Sequence, residues 1–262
     1  PERRGAHPLK YVAAPDPAVV ESEGWAGAVA LATVAPELPG AIELIRALVA
    51  HGIVVSAGHS SATAAEARAA VDAGVSYVTH LFNAMAPLHH RDPGLAGVAL
   101  ADERLRAGAI ADGLHLHPTT VALAARALGG RLTLVTDAVA ALSLPPGPVR
   151  LGDVEAEATA DGAVRLPDGT LAGSALSLDR AVRNLVAFAG VDLGTAVGAA
   201  TAAPAAVLGD AAPGGVPDAG PDPGPDRGTL APGAVADAVL LDADATVVAT
   251  VIGGRVAHDR RA

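Results

Sequence analysis

Short apolar runs alternate along the chain with longer Ala-rich stretches whose apolar positions recur every three or four residues. The first pattern predicts buried strands, and the second predicts helices packed on one face. Residues 28–31 read as a strand. Residues 40–51 read as a helix with Ile42, Ile45 and Leu48/Val49 on one side, ended by Gly52. Residues 53–57 read as a strand. A helix capped by Ser61 or Thr63 then runs through Ala73, and Gly74 closes it. Further strands are expected over 75–80, 107–111 and 132–136, and further helices over 118–128, 178–189 and 195–208. Such a β–α alternation with almost wholly apolar strands implies a parallel sheet covered by helices.

A (β/α)₈ barrel and a doubly wound sheet both fit that alternation. The polar residues separate them. His59, His80, His115 and Asp137 each fall at or just after the C-terminal end of an expected strand. In a barrel those ends converge on one centre. A doubly wound sheet would spread them along a crevice, and no Gly-x-Gly-x-x-Gly turn follows the first strands. The expected fold is therefore an α/β, TIM-like barrel.

Two regions interrupt the alternation. Residues 149–171 read as small β-hairpins turning at Asp161-Gly162 and Asp168-Gly169. Residues 210–228 are dense in Pro, Gly and Asp and read as a mobile surface loop. Beyond it, residues 228–256 read as short strands with Asp and Gly turns. The division expected is a barrel over 1–227 and a set of C-terminal strands over 228–262, too few for a domain without partner strands. The opening segment 1–8 is loop-like, so further chain is expected upstream, the source of those partners.

Composition narrows the function. Hydrophobic residues make up 51% of the 262, but aromatics only 2%, so the core must be built from small aliphatic side chains. A formal net charge of −10 argues against a nucleic-acid partner, which needs a basic face. It does not exclude a small anion held by a few local arginines. The absence of cysteine excludes disulfides, thiol catalysis and Cys-based zinc sites. No basic-then-apolar leader and no apolar run of about 18 residues is present, so a soluble cytoplasmic protein is expected and a membrane is not.

The residues able to do chemistry sit at the strand ends. His59, in Gly58-His59-Ser60, and His80, in Thr79-His80-Leu81, would make a pair of ligands for a divalent metal. The alternative is two buried, hydrogen-bonded histidines. Asp137 could ligate metal, act as general base on water, or merely cap a helix. His115 could ligate metal or bind substrate, while His117 faces elsewhere. Arg91, in the loop His89-His90-Arg91-Asp92-Pro93, is either an anion clamp or half of a surface ion pair with Asp92.

Several stretches together resemble one known family. They are Gly5-Ala6-His7, Leu31-Ala32-Thr33-Val34-Ala35-Pro36-Glu37, Ser56-Ala57-Gly58-His59-Ser60, Thr79-His80-Leu81-Phe82-Asn83-Ala84-Met85, Arg91-Asp92-Pro93-Gly94, Ala111-Asp112-Gly113-Leu114-His115, Val135-Thr136-Asp137-Ala138 and Leu171-Ala172-Gly173-Ser174. In that order and spacing they are similar to the N-acetylglucosamine-6-phosphate deacetylases of the amidohydrolase superfamily. Gly228-Thr229-Leu230-Ala231-Pro232-Gly233 resembles the general amidohydrolase tail.

The resemblance implies a (β/α)₈ barrel whose first strand or strands lie upstream of Pro1, with a small β-sandwich built from both chain ends, of which 228–262 is the C-terminal part. It implies hydrolysis of the N-acetyl group of N-acetyl-D-glucosamine 6-phosphate to D-glucosamine 6-phosphate and acetate. It implies His59 and His80 as ligands of a catalytic divalent cation, zinc or iron, and Asp137 as general acid/base. His7 would contact the sugar or the acetamide carbonyl, and Asn83 and Ala84 would hold substrate. Arg91 and His115 would hold the phosphate across the interface of a homodimer. The family's third metal ligand, a Glu, is expected upstream of Pro1. Another amidohydrolase acting on a different amide, or a non-catalytic paralogue without metal, are the alternatives. The only lysine, Lys10, lies at no strand end, so a modified-lysine metal bridge on the visible strands has no candidate.

Overall fold

The protein is described here by a computed structural model covering residues 2–22, 24–25, 27–209 and 227–260. A short helix α1 (Val19–Ser22) leads into four βα units and a fifth strand: β1 (Leu31–Val34), α2 (Ala41–Ala50), β2 (Val54–Ala57), α3 (Ala64–Ala73), β3 (Val75–Val78), α4 (Gly94–Ala101), β4 (Arg106–Ala109), α5 (Pro118–Leu128) and β5 (Leu132–Leu134). The strands are all parallel and pair in chain order, β1-β2-β3-β4-β5. A doubly wound sheet reverses its order at a switch point. This sheet never does, so it is an arc of a barrel with every strand's C-terminal end on one side.

Local chemistry explains the units. Thr63 accepts from the Glu66 backbone N–H, and Glu66 reaches back to the Thr63 backbone, a reciprocal capping box for α3. Gly74, with φ of 118°, closes that helix. His117 caps α5 by accepting from the Thr119 N–H, which accounts for its facing away from the strand ends. On α2 the buried face is Ala41, Leu44, Ile45 and Leu48. Each large aliphatic side chain withdrawn there contributes about 1.5–3 kcal/mol. Tyr77 of β3 crosses β4 to share a buried 2.7 Å hydrogen bond with Thr133 of β5. Gly108 permits the crossing, because a Cβ there would lie 2.4 Å from the Tyr77 hydroxyl.

Four expectations are corrected. The first strand lies at β1, not 28–31, because Ala28 and Val29 donate their N–H groups back to the Trp25 carbonyl in a turn. Several strands stop two residues short of their expected ends, as the chain turns toward the site. Helix α4 was not expected at all: its sequence GLAGVALA is apolar all round and five of its residues are buried. The long helix over 195–208 is instead α7 (Leu193–Ala200) and α8 (Ala202–Gly209), broken at Thr201. Pro204, which lacks an N–H, cannot continue a helix from the preceding turn.

Beyond β5, the expected hairpins form a four-stranded antiparallel sheet, β6 (Gly147–Leu151), β7 (Val154–Ala158), β8 (Ala163–Arg165) and β9 (Leu171–Ser174). It has its own small core, including Val164 and Ala172. Ser174 pairs in parallel with Ala138, which fastens this sheet beside the end of β5. Helix α6 (Leu178–Ala189) then returns to pack on α5.

Of the Pro/Gly-rich segment, residues 210–226 lie outside the described residues. The chain ends in an antiparallel meander, β10 (Ala238–Leu241), β11 (Val247–Ile252) and β12 (Arg255–Asp259). Val239, Leu240, Ile252 and Val256 stand exposed on it, and no second sheet covers them among the described residues. No helix among the described residues is long and apolar enough to cross a membrane.

Candidate active site

A cavity of about 720 Å³ opens at the C-terminal ends of the parallel strands, roofed by the β8–β9 turn. Of the expected site residues, His7, His59, His80, Asn83, Ala84, His115 and Asp137 all line it. Arg91 does not. Its guanidinium is exposed and contacts His90 Nε2 at 2.9 Å.

His59 follows β2 and His80 follows β3. Their Nε2 atoms face each other at 2.9 Å, and their rings meet edge-on. The His7 ring stands 4.9 Å from that of His59. His59 Nδ1 lies 2.8 Å from the Arg3 carbonyl oxygen. A carbonyl can only accept, so Nδ1 carries the proton and Nε2 presents a bare lone pair. Burial pushes His59 down from the usual histidine range; the Arg3 carbonyl opposes this, His7 adds to it, and Asp137 opposes it. Burial and then His59 push His80 down in the same way. Two neutral rings aimed at one point are what a borderline divalent cation requires. The bond from His59 Nδ1 to a carbonyl is also the usual outer support of a ligating histidine. His59 and His80 therefore fit a divalent metal. Among the described residues no set of three His, Cys, Asp or Glu side chains could hold one.

The backbone is bent to make this site. Seven non-glycine residues among those described have positive φ, and four of them line the cavity: His59, His80, Ala84 and Asp137. Such conformations cost about 1–3 kcal/mol each and persist only where surroundings enforce them. The enforcing contacts are visible. Ser60 N–H donates to the Ala84 carbonyl and Ala86 N–H to the Ser60 carbonyl, both at 3.0 Å, tying the His59 loop to the His80 loop. Asn83 donates its amide to the His80 and Leu81 carbonyls at 3.2 Å. Glu37, beyond β1, accepts from Ser60 Oγ at 2.7 Å and from Ser61 N–H at 2.6 Å. Asp137 is pinned by Ser174, whose N–H donates to the Asp137 carbonyl at 2.7 Å and whose hydroxyl donates to the Thr136 carbonyl.

His115 corrects one expectation. It does not reach outward toward a partner: its side chain is 5% exposed, lines this chain's own cavity and contacts Asp112 at 2.6 Å. The reading by residue type passed over Glu37, Asp112 and Ser174. All three lie in motifs quoted above, but their roles appear only in the hydrogen bonds. Arg165, from β8, also lines the cavity and carried no sequence signal.

No family model matches the chain. It is 38% identical over 263 residues to N-acetylglucosamine-6-phosphate deacetylase of Danio rerio, covering 97% of this chain and 62% of that protein. It is 40% identical over 202 residues to N-acetylgalactosamine-6-phosphate deacetylase of Escherichia coli O157:H7, covering 75% of this chain and 52% of that protein. A Mycobacterium smegmatis N-acetyl-D-glucosamine-6-phosphate deacetylase mutant, solved with N-acetyl-D-glucosamine-6-phosphate, superposes with a TM-score of 0.87 at 36% identity, covering 97% of this chain and 65% of that one. The chain belongs to the N-acetylglucosamine-6-phosphate deacetylase family. It spans just under two thirds of the length of these deacetylases where the match is longest. The parallel arc and its strand-end cavity accordingly share the fold of those deacetylases, incomplete over the residues described.

Proposed function

We propose that this chain carries a metal-dependent deacetylase site that hydrolyses the N-acetyl group of N-acetyl-D-glucosamine 6-phosphate, giving D-glucosamine 6-phosphate and acetate. The observation that carries the reading is the pair of facing imidazole nitrogens with Asp137 at the same strand-end cavity. His59 and His80 would hold the cation, zinc or ferrous iron, with a further ligand from chain outside the residues described. When bound, such an ion acidifies water and polarises the acetamide carbonyl. Asp137 takes a proton from the attacking water and delivers it to the departing nitrogen. His7, beside His59, donates to the carbonyl oxygen as charge builds there. Asn83 and Ala84 hold the sugar, with the Asn83 side chain oriented by its bonds to the His80 and Leu81 carbonyls. His115 meets the phosphate from within this chain.

Arg91 meets the phosphate from the neighbouring subunit of a homodimer, since it lies outside its own chain's cavity. We place the reaction in the cytoplasm, where charged sugar phosphates are retained. The galactosamine-type relative makes the 4-epimer the sugar to compare. The protein loaded with Zn²⁺ or Fe²⁺ should release acetate from N-acetylglucosamine 6-phosphate, and chelation should stop it. A metal-loaded, folded protein that releases none from either epimer overturns the proposal.

A further inference from the structure

The loop after β4 holds a second polar constellation, separate from the facing histidines. Asp112 Oδ2 lies 2.6 Å from His115 Nδ1, and Asp112 Oδ1 accepts from the Leu114 and His115 N–H groups at 2.8 Å each. The two side chains are 6% and 5% exposed. Gly113, at φ of 81°, makes the tight turn between them, with the Phe188 ring 3.4 Å from where its Cβ would stand. Asn184 on α6 donates to the Ala111 carbonyl at 2.7 Å. The loop is thus clamped from inside by Asp112 and from outside by α6. Burial pushes the Asp112 carboxyl up, but its bonds to His115 and to the two N–H groups outweigh this and hold it below the usual range.

A buried carboxylate with three bonds is more than a loop cap needs, because Oδ1 alone satisfies the turn. Oδ2 is committed to the ring. An ionised carboxylate can only accept, so His115 Nδ1 carries a proton and Nε2 is the nitrogen left for a ligand. A neutral ring would then offer a lone pair, which repels a phosphate oxygen. A doubly protonated ring would offer an N–H, and a carboxylate behind it offsets the cost of the buried charge.

We propose that Asp112 is a positioning residue for phosphate recognition: it fixes His115 Nδ1–H and lets the ring hold both protons between its carboxylate and the phosphate monoester. The second proton is taken from solvent as the anion arrives. This rests on the reading of the cavity as an amino-sugar phosphate site.

Asp112→Asn separates the two roles, because its Oδ1 can still cap the turn while its Nδ2–H faces His115 Nδ1. In the metal-loaded protein, KM for N-acetylglucosamine 6-phosphate should rise about tenfold with little change in kcat, the scale of one charge-assisted contact. Inorganic phosphate should weaken by a similar factor, and KM for unphosphorylated N-acetylglucosamine should not move. Adding Asp112→Asn to His115→Gln should cost nothing further. Without any substitution, ¹⁵N spectra of wild-type His115 should show both ring nitrogens protonated once phosphate binds. Unchanged phosphate binding in Asp112→Asn, additive losses in the double variant, an equal fall in kcat on both sugars, or a singly protonated ring in the phosphate complex would each overturn the proposal. A wild type that binds phosphate through His115 but turns over neither sugar would instead remove the deacetylase reading and leave this one standing.

Discussion

His59 and His80 face each other through their Nε2 atoms at 2.9 Å, although 21 residues separate them in sequence. The cause is the parallel register: Ala57 and Val78 are paired across β2 and β3, so the residue two positions beyond each strand arrives at the same height. Left-handed backbone at both histidines then turns the rings inward.

Removing either ring should therefore remove tight metal binding. His59→Ala or His80→Ala should weaken affinity for Zn²⁺ by at least about 100-fold, the upper range seen for losing mere outer-shell support. Competition against a chromogenic chelator measures it, and a thermal melt confirms the fold. Wild-type affinity in both variants would remove the ligand assignment.

Asp137→Asn should behave differently. Its carbonyl contact with Ser174 is a backbone contact and survives the change. Metal content should stay near wild type while turnover falls about 10²- to 10⁴-fold, the usual loss for a general acid/base. Acetate release under saturating substrate is the measurement, and turnover within threefold of wild type would move the base elsewhere.

The glycine before His59 sets how closely β1 and β3 approach the site. A Cβ on Gly58 would lie 2.3 Å from Thr79 Cγ2 and 3.3 Å from Thr33 Cγ2. Thr79 is β-branched and cannot easily turn aside. Gly58→Ala should cost about 1–3 kcal/mol of stability through overpacking. It should also lower metal affinity, because relief of the clash displaces His59 or His80. A melting temperature and an affinity both equal to wild type would show that the strands yield freely.

Asp112 gives a pH dependence of defined sign. Its carboxyl is held low in the folded protein, so the unfolded chain binds its proton more readily. The stabilisation is present above the unfolded value of about 3.9 and is lost as pH falls through the folded one. The difference in melting temperature between wild type and Asp112→Asn should shrink as pH is lowered from 6 toward 3. A difference that stays constant over that span would mean the carboxylate contributes nothing by its charge.

Much of this was legible in the chain. The boundaries of α5 and α6 follow from Pro118 at the first turn of one and Gly190 after the other, signals that act within a few residues. The strand-end histidines and Asp137 stood out because polar groups at the ends of apolar runs need a reason. Helix α4 was hidden because a helix apolar all round has no periodicity to read. The carboxylates of Glu37 and Asp112 were hidden for another reason. Each works through partners that only the fold supplies or the turn at Gly113 creates. The C-terminal meander was read from its turns, yet its exposed apolar face depends on what the rest of the protein places there.

Arg91 is the test of shared sites. Its loop runs between Pro87 and Pro93, two residues that stiffen the backbone, and its guanidinium contacts His90 and is not part of its own chain's cavity lining. With a net charge of −10 the protein repels a phosphate at long range, so capture depends on a local cation. Arg binds phosphate oxygens through its planar fork. Arg91→Ala should raise KM for the phosphorylated sugar by about 10- to 150-fold, the equivalent of a charge-assisted contact of about 1.5–3 kcal/mol. KM for the unphosphorylated sugar should hardly change. Mixing the Arg91→Ala chain with the Asp137→Asn chain then asks where the guanidinium acts. If it acts in the neighbouring subunit, a mixed dimer has one site carrying both lesions and one carrying neither, and activity partly returns. If it acts in its own subunit, each site of the mixed dimer keeps one lesion and nothing is recovered. Proven subunit exchange without recovery would therefore exclude the shared site.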